Sequence, residues 1–183
     1  MFEYEITPGV VSAAPDHWPA GSALRLDPGR PTFVMFVHPH CPCSRASLDE
    51  LMVLVTHRGG RMQPIVVFLK PIRFDQDWEK TDLWKTAASI PGATLFCDVD
   101  GTETHRFQAM VSGESLLYDA AGKLVFHGGI TVSRGHRGDN AGRSAVESLL
   151  AGEPTAWRQT PVFGCSLRER KASLPLAPSP VNR

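Results

Sequence analysis

The hydrophobic pattern begins in earnest at Thr32–Val37, an unbroken run of β-formers between Pro31 and Pro39, which predicts a strand buried on both faces. Beyond it, Leu48, Leu51, Met52, Leu54 and Val55 recur at helical spacing until Gly59-Gly60 stops them. Pro42 or Ser44 suits the first turn of that helix. Ile65–Leu69 reads as a second buried strand, and Asp82–Ile90 as a helix closed by Pro91-Gly92. Ala93–Cys97 reads as a third strand and Thr102–Phe107 as a short helix. Ser115–Tyr118 and Leu124–His127 form a hairpin around Ala120-Ala121-Gly122-Lys123. A polar, glycine-rich stretch, Gly128–Asp139, leads to a helix capped by Asp139 or Asn140. Its apolar face holds Ala145, Val146, Leu149 and Leu150, and Gly152 closes it.

The order β-α-β-α-β, then a hairpin, then a helix predicts an α/β domain: a mixed central sheet with helices on both faces. Outside it, Leu24-Arg25-Leu26 is the one strand-like piece of a proline-dotted leader, and Pro161–Cys165 the one ordered-looking piece of the tail. Residues 172–183 read as frayed. Boundaries follow as leader 1–23, domain 24–151 and tail 152–183, with the tail packing back so that Cys165 returns to the domain. The 13 residues from 152 to 164 span at most about 45 Å, enough for that return.

Composition narrows the function. The 183 residues are 42% apolar, enough for one core, and 19 basic residues balance 19 acidic ones, which argues against nucleic acid as a partner. No apolar run approaches a membrane helix. The start, Met1–Glu5, has neither a basic nor an apolar signal region, so a cytoplasmic protein, or one whose export segment is missing from this chain, is expected. Four cysteines are too few for a disulfide scaffold, and two stand together as Cys41-Pro42-Cys43. At a strand-to-helix junction, free amides and the helix dipole favour thiolate over thiol. Cys41, ahead of the helix, is expected to be the more exposed sulfur and the nucleophile. Cys43 is expected to resolve, and Pro42 stiffens the link. Cys97, inside a strand, reads as a small core residue.

His38-Pro-His-Cys-Pro-Cys-Ser, Gly128–Asn140 and Pro161-Val-Phe-Gly-Cys165, set on this element order, resemble the thioredoxin-like superfamily, and within it the RedB-type thioredoxin-like proteins. The resemblance covers about residues 24–151. It implies a thiol–disulfide oxidoreductase acting on a protein or small-molecule disulfide, with an electron donor the sequence does not name and no required cofactor. It also implies a periplasmic, membrane-anchored setting, although the anchor is absent from this chain. In that fold the hairpin strand starts at the end where Cys41 lies. Ser112-Gly113, standing where the superfamily usually has a cis-proline, would then join Pro42 in binding substrate. The 128–140 stretch would return Arg134 and His136 to hold the thiolate, and Cys165 would be a second resolving thiol. The one-residue spacing between the cysteines, where the superfamily has two, opens an alternative: a copper, zinc or iron–sulfur site built from His38, His40, Cys41, Cys43 and Cys165.

Overall fold

The computed structural model describes residues 6–167, so the expected fraying of 172–183 lies outside the described residues. Five strands run β1 (Thr32–Val37), β2 (Gln63–Lys70), β3 (Thr94–Val99), β4 (Ser115–Tyr118) and β5 (Leu124–Gly128). They form one sheet in the order β3-β2-β1-β4-β5. β1 pairs parallel with β2 and antiparallel with β4; β2–β3 is parallel and β4–β5 antiparallel. Four helices connect them: α1 (Ser44–Arg58), α2 (Asp82–Ala88), α3 (Thr102–Arg106) and α4 (Ala141–Ala151). The mixed α/β sheet is therefore as expected.

The central position of β1 explains its unbroken apolar run, since all six residues are buried. Strand alternation sends Phe33, Met35 and Val37 to one face, where Leu48, Leu51 and Leu54 of α1, Leu83 and Ala87 of α2, and Ala145, Val146 and Leu150 of α4 cover them. Val34 and Phe36 face the other side, where Phe107 after α3, Leu24 of the leader and Leu167 of the tail form the cover. Helices thus pave one face, while irregular chain pads most of the other.

The differences from expectation are local. Leu24–Leu26 forms no strand: Leu24 is buried against the second face and Leu26 packs there too, so this segment lies over the sheet and not along its edge. α2 stops at Ala88, with Ser89 as its cap. Of the two candidate caps for α4, Asn140 fills the role, its side chain accepting from Arg143 N at 2.8 Å. The five-residue α3 depends on a residue outside itself. Buried Asp98, in β3, accepts from Glu103 N, Thr104 N and Thr104 Oγ1 at 2.7–2.8 Å.

Candidate active site

β1 ends at Val37, β4 begins at Ser115 and β5 ends at Gly128, so their loops share one end of the sheet. The loop after β1 folds tightly. Cys41 N donates to His38 O at 3.0 Å and Ser44 N to Cys41 O at 3.1 Å, which brings the chain into α1. Cys41 ends up 1% exposed and Cys43 half-buried. This reverses the expectation that Cys41 is the more open thiol, because the returning tail covers it.

That tail is held by main-chain pairing. His127 N donates to Arg158 O at 3.0 Å and Thr160 N to His127 O at 3.2 Å, so the tail runs along the free side of β5. Ser112 N then donates to Cys165 O at 2.8 Å and Leu167 N to Met110 O at 2.9 Å, an antiparallel pairing with residues 110–112. Glycines make the approach feasible. A Cβ on Gly128 would meet Thr160 Oγ1 at 2.2 Å, and one on Gly129 would meet Pro161 O at 2.6 Å. A Cβ on Gly164 would sit 1.8 Å from Ser112 O. Buried Val162 and Leu167 anchor the segment.

The result is a three-sulfur cluster: the Sγ atoms of Cys41, Cys43 and Cys165 all lie within 4.8 Å of one another. Those of Cys41 and Cys165 are 2.9 Å apart. The hydrogen bond shared with Cys165 is the main force lowering the Cys41 thiol from its ordinary 9.0 to about 4. Burial opposes the shift, and the Ser44 hydroxyl and the amides of Cys165 and Cys43 assist it. The same shared bond, with burial and the charge on Cys41, pushes the Cys165 thiol upward. Burial and the Cys41 charge also raise Cys43, while Arg134 pulls it back down. One sulfur carries the charge and its neighbours keep their protons.

Around this centre the expected residues divide. Arg134 reaches it: its Nη1 donates to Gly164 O, and its charge favours thiolate at both Cys43 and Cys165. His136 is exposed and its Nδ1 binds Arg134 O at 2.8 Å, so it is the arginine and not the histidine that faces sulfur. Pro42 is exposed beside a cleft of about 270 Å³ between Pro39–Pro42, Arg45 and Thr81–Leu83. Ser112 and Gly113 are buried beneath the loop, not presented on its surface. Ser112 Oγ accepts from His38 N at 2.7 Å and shares a 2.6 Å bond with Ser44 Oγ. His38 and His40 pack on Trp78, at ring distances of 5.6 and 4.5 Å, and His40 Nε2 meets Trp78 O at 3.2 Å. Among the described residues the one grouping suited to an ion is the three sulfurs, without either histidine. Burial lowers the His38 pKa, against the pull of the Cys41 charge.

Two buried carboxylates were not legible in the sequence. Glu114 accepts from Met110 N, Val111 N and His127 Nε2, fixing the turn that carries Ser112. Glu50, on α1, accepts from Gly138 N and Arg143 Nη1, each at 2.7 Å, and so ties down the loop bearing Arg134. The available signal for Glu50 was its spacing, four residues before Leu54 and four after Ala46, which puts a carboxylate on the buried side of the helix. No family model and no curated protein matches the sequence. Solved structures do match the fold. An uncharacterized conserved protein from Geobacillus kaustophilus aligns at TM-score 0.65 and 19% identity, over 92% of this chain and 95% of that one. A hypothetical protein from Sinorhizobium meliloti 1021 aligns at TM-score 0.64 and 21% identity, over 88% and 93%. The exposed lipoprotein thioredoxin of Streptococcus pneumoniae strain TIGR4 aligns at 0.51 and 17%, over 76% and 99%.

Proposed function

Proceeding from a thioredoxin-like fold, we propose that this chain is a thiol–disulfide oxidoreductase in which Cys41 attacks and Cys165 resolves. The observation that carries this reading is the 2.9 Å approach of the Cys41 and Cys165 sulfurs, with Cys41 held as the thiolate. The Cys41 thiolate attacks one sulfur of a substrate disulfide, forming a mixed disulfide and releasing the other half as a thiolate, which takes a proton from solvent. Cys165 then loses its proton and attacks Cys41 Sγ. The Cys41–Cys165 bond forms, and the second half of the substrate leaves as thiol. Two electrons pass from the cysteine pair to the substrate, and an external dithiol returns them. Arg134 eases the second step by favouring thiolate at Cys165. The motif alone suggests Cys43 as the resolving thiol; the proximity of Cys165 favours the tail instead, with Cys43 in reserve. The substrate is a disulfide in a protein or a small molecule.

The metal alternative draws on the three clustered sulfurs. Two thiolates on one tetrahedral zinc stand about 3.8 Å apart, from a Zn–S bond of roughly 2.3 Å. The Cys41–Cys165 pair, two free cysteines sharing a hydrogen bond, is closer than that at 2.9 Å. The test is disulfide reductase activity with disulfide mapping. Cys41→Ser should abolish turnover. Cys165→Ser should accumulate a mixed disulfide on Cys41, and Cys43→Ser should keep most activity. Full activity in Cys41→Ser would end the reading. Stoichiometric copper, zinc or iron on anaerobically isolated protein, lost in Cys165→Ser, would replace it with the metal one.

A further inference from the structure

Cys43 is two positions from Cys41 and cannot leave its neighbourhood. Cys165 is 124 positions away, so its place against Cys41 must be enforced by something other than chain connectivity. Arg134 reaches both cysteine-bearing segments from the side of the 128–140 loop, and Ser112 joins them from beneath. Ser112 N donates to Cys165 O, on the tail side. On the motif side, Ser112 Oγ accepts from His38 N and bonds to Ser44 Oγ, whose hydroxyl also favours the Cys41 thiolate. The Ser112 carbonyl faces Gly164 so closely that any side chain there would collide with it. A proline at 112 would lack the N–H that holds Cys165 O. Ser112 is completely buried, so none of these three bonds competes with water.

We infer that Ser112 and Gly164 are positioning residues, clamping the tail to the motif loop in the one register that sets Cys165 against Cys41. By doing so they select the Cys41–Cys165 disulfide over Cys41–Cys43. The inference rests on the proposed function, since it presumes that both pairings are chemically open to Cys41. Its chemistry is a choice of leaving bond. An external dithiol or its disulfide exchanges two electrons with the protein, and the clamp decides which thiol shares the oxidised bond with Cys41. Loosening the clamp lowers the local concentration of Cys165 and leaves that of Cys43 unchanged.

The test is equilibration of each protein with a dithiothreitol redox buffer, followed by mass mapping of the protein disulfide. Wild type should give Cys41–Cys165. Gly164→Ala leaves the sheet intact and undocks only the end of the tail. It should lower the equilibrium constant of that bond about tenfold or more, roughly 30 mV, and bring Cys41–Cys43 into view. Ser112→Ala, which keeps the N–H and loses the hydroxyl, should shift the balance the same way by a smaller factor. At about pH 10, above the ordinary thiol value of 9.0, Cys41 is ionised with or without Cys165 beside it, and iodoacetamide should reach it faster in Gly164→Ala than in wild type because the tail no longer covers it. An unchanged equilibrium constant and an unchanged disulfide map in Gly164→Ala would overturn the inference, even with Ser112→Ala unfolded. A wild-type map showing only Cys41–Cys43 would instead remove the reading beneath it.

Discussion

Two segments deliver sulfur to this site, and they are held by different means. Residues 38–44 are shaped locally, by a tight turn between a buried strand and a fifteen-residue helix. Residues 158–167 have no regular structure of their own. They lie where they do because β5 and residues 110–112 offer unpaired backbone groups, and because Gly128, Gly129 and Gly164 let the chains touch. The first segment supplies the charged sulfur; the second supplies its partner and, through the Cys165 hydrogen bond, the largest share of what holds that charge. Reactivity and pairing are thus joined through one contact, and undocking the tail should weaken both.

The largest effect should come from Gly129→Ala. The added methyl would meet Pro161 O at 2.6 Å and the main chain of Val162 at 3.0 Å, and backbone on both sides leaves it no room. Gly142 already packs against Gly129 O from the helix side, so the strand end cannot retreat. The tail should undock from Thr160 onward. Formation of Cys41–Cys165 should fall by about a hundredfold, on the assumption that several hydrogen bonds of roughly 1 kcal/mol each are lost together. The Cys41 thiol should rise from about 4 toward its ordinary 9.0, since only the Ser44 hydroxyl and the Cys43 amide remain to hold the thiolate. Rapid quench of the oxidation step, with mapping of the product, checks this. A variant that pairs Cys165 at the wild-type rate would show that the tail does not need this glycine.

The same contrast explains what could be read from the sequence. The motif, the strand before it and the helix after it were legible because each rests on short-range periodicity and turn chemistry. The convergence of Arg134 followed from strand directions alone. The tail was harder. Pro161–Cys165 stood out as ordered, but its register depends on backbone hydrogen bonds, which carry no side-chain signature. The glycines at 128 and 129 read only as part of a polar, glycine-rich stretch; their use, close approach of a second chain segment, shows only once the neighbour is known. Cys41 was expected to be open because it stands ahead of the helix; the return of Cys165 was expected too, but not that the tail would lie over Cys41 itself. His136 and Arg134 were equally near in sequence, and only side-chain direction decided between them. The same holds for Leu24–Leu26, whose alternation fits a strand but whose path crosses the sheet's face.

A second, smaller break concerns the loop that links the two segments. Glu50 is 2% exposed and accepts from Gly138 N and from Arg143 Nη1, itself largely buried. It fixes the start of α4 and, through residues 134–138, the arginine that donates to Gly164 O. Glu50→Ala takes from Arg143 its one buried carboxylate partner, leaving the exposed Asp139 at 3.0 Å and Glu147 at 3.7 Å, and takes the acceptor from Gly138 N. The expected cost is about 3 kcal/mol of stability, read as a lower urea midpoint at unchanged slope. Thiol reactivity at Cys41 in the folded fraction should change little, because none of its hydrogen-bond partners touches Glu50. A midpoint within error of wild type would mean that the loop is held elsewhere.

The smallest effect is also the most direct view of the shared proton. With Cys41 lowered to about 4 and Cys165 raised above its ordinary 9.0, the reduced pair keeps one proton across that whole interval. An unfolded chain keeps two below 9.0 and none well above it. Between about pH 4 and 9 the unfolded state therefore binds the extra proton, and stability must rise with pH. Above 9 the folded state holds the extra proton, on Cys165, and stability must fall again. The two sulfurs so predict a maximum near pH 9 in the stability of the reduced protein. Urea midpoints at about pH 5, 7, 9 and 10.5 should trace it, measured against Cys165→Ser. In that variant the main cause of the Cys41 shift is gone, and the rise between pH 5 and 9 should flatten. Equal slopes in the two proteins would mean that Cys165 does not hold the Cys41 thiolate, and that pairing and reactivity are not joined through one hydrogen bond.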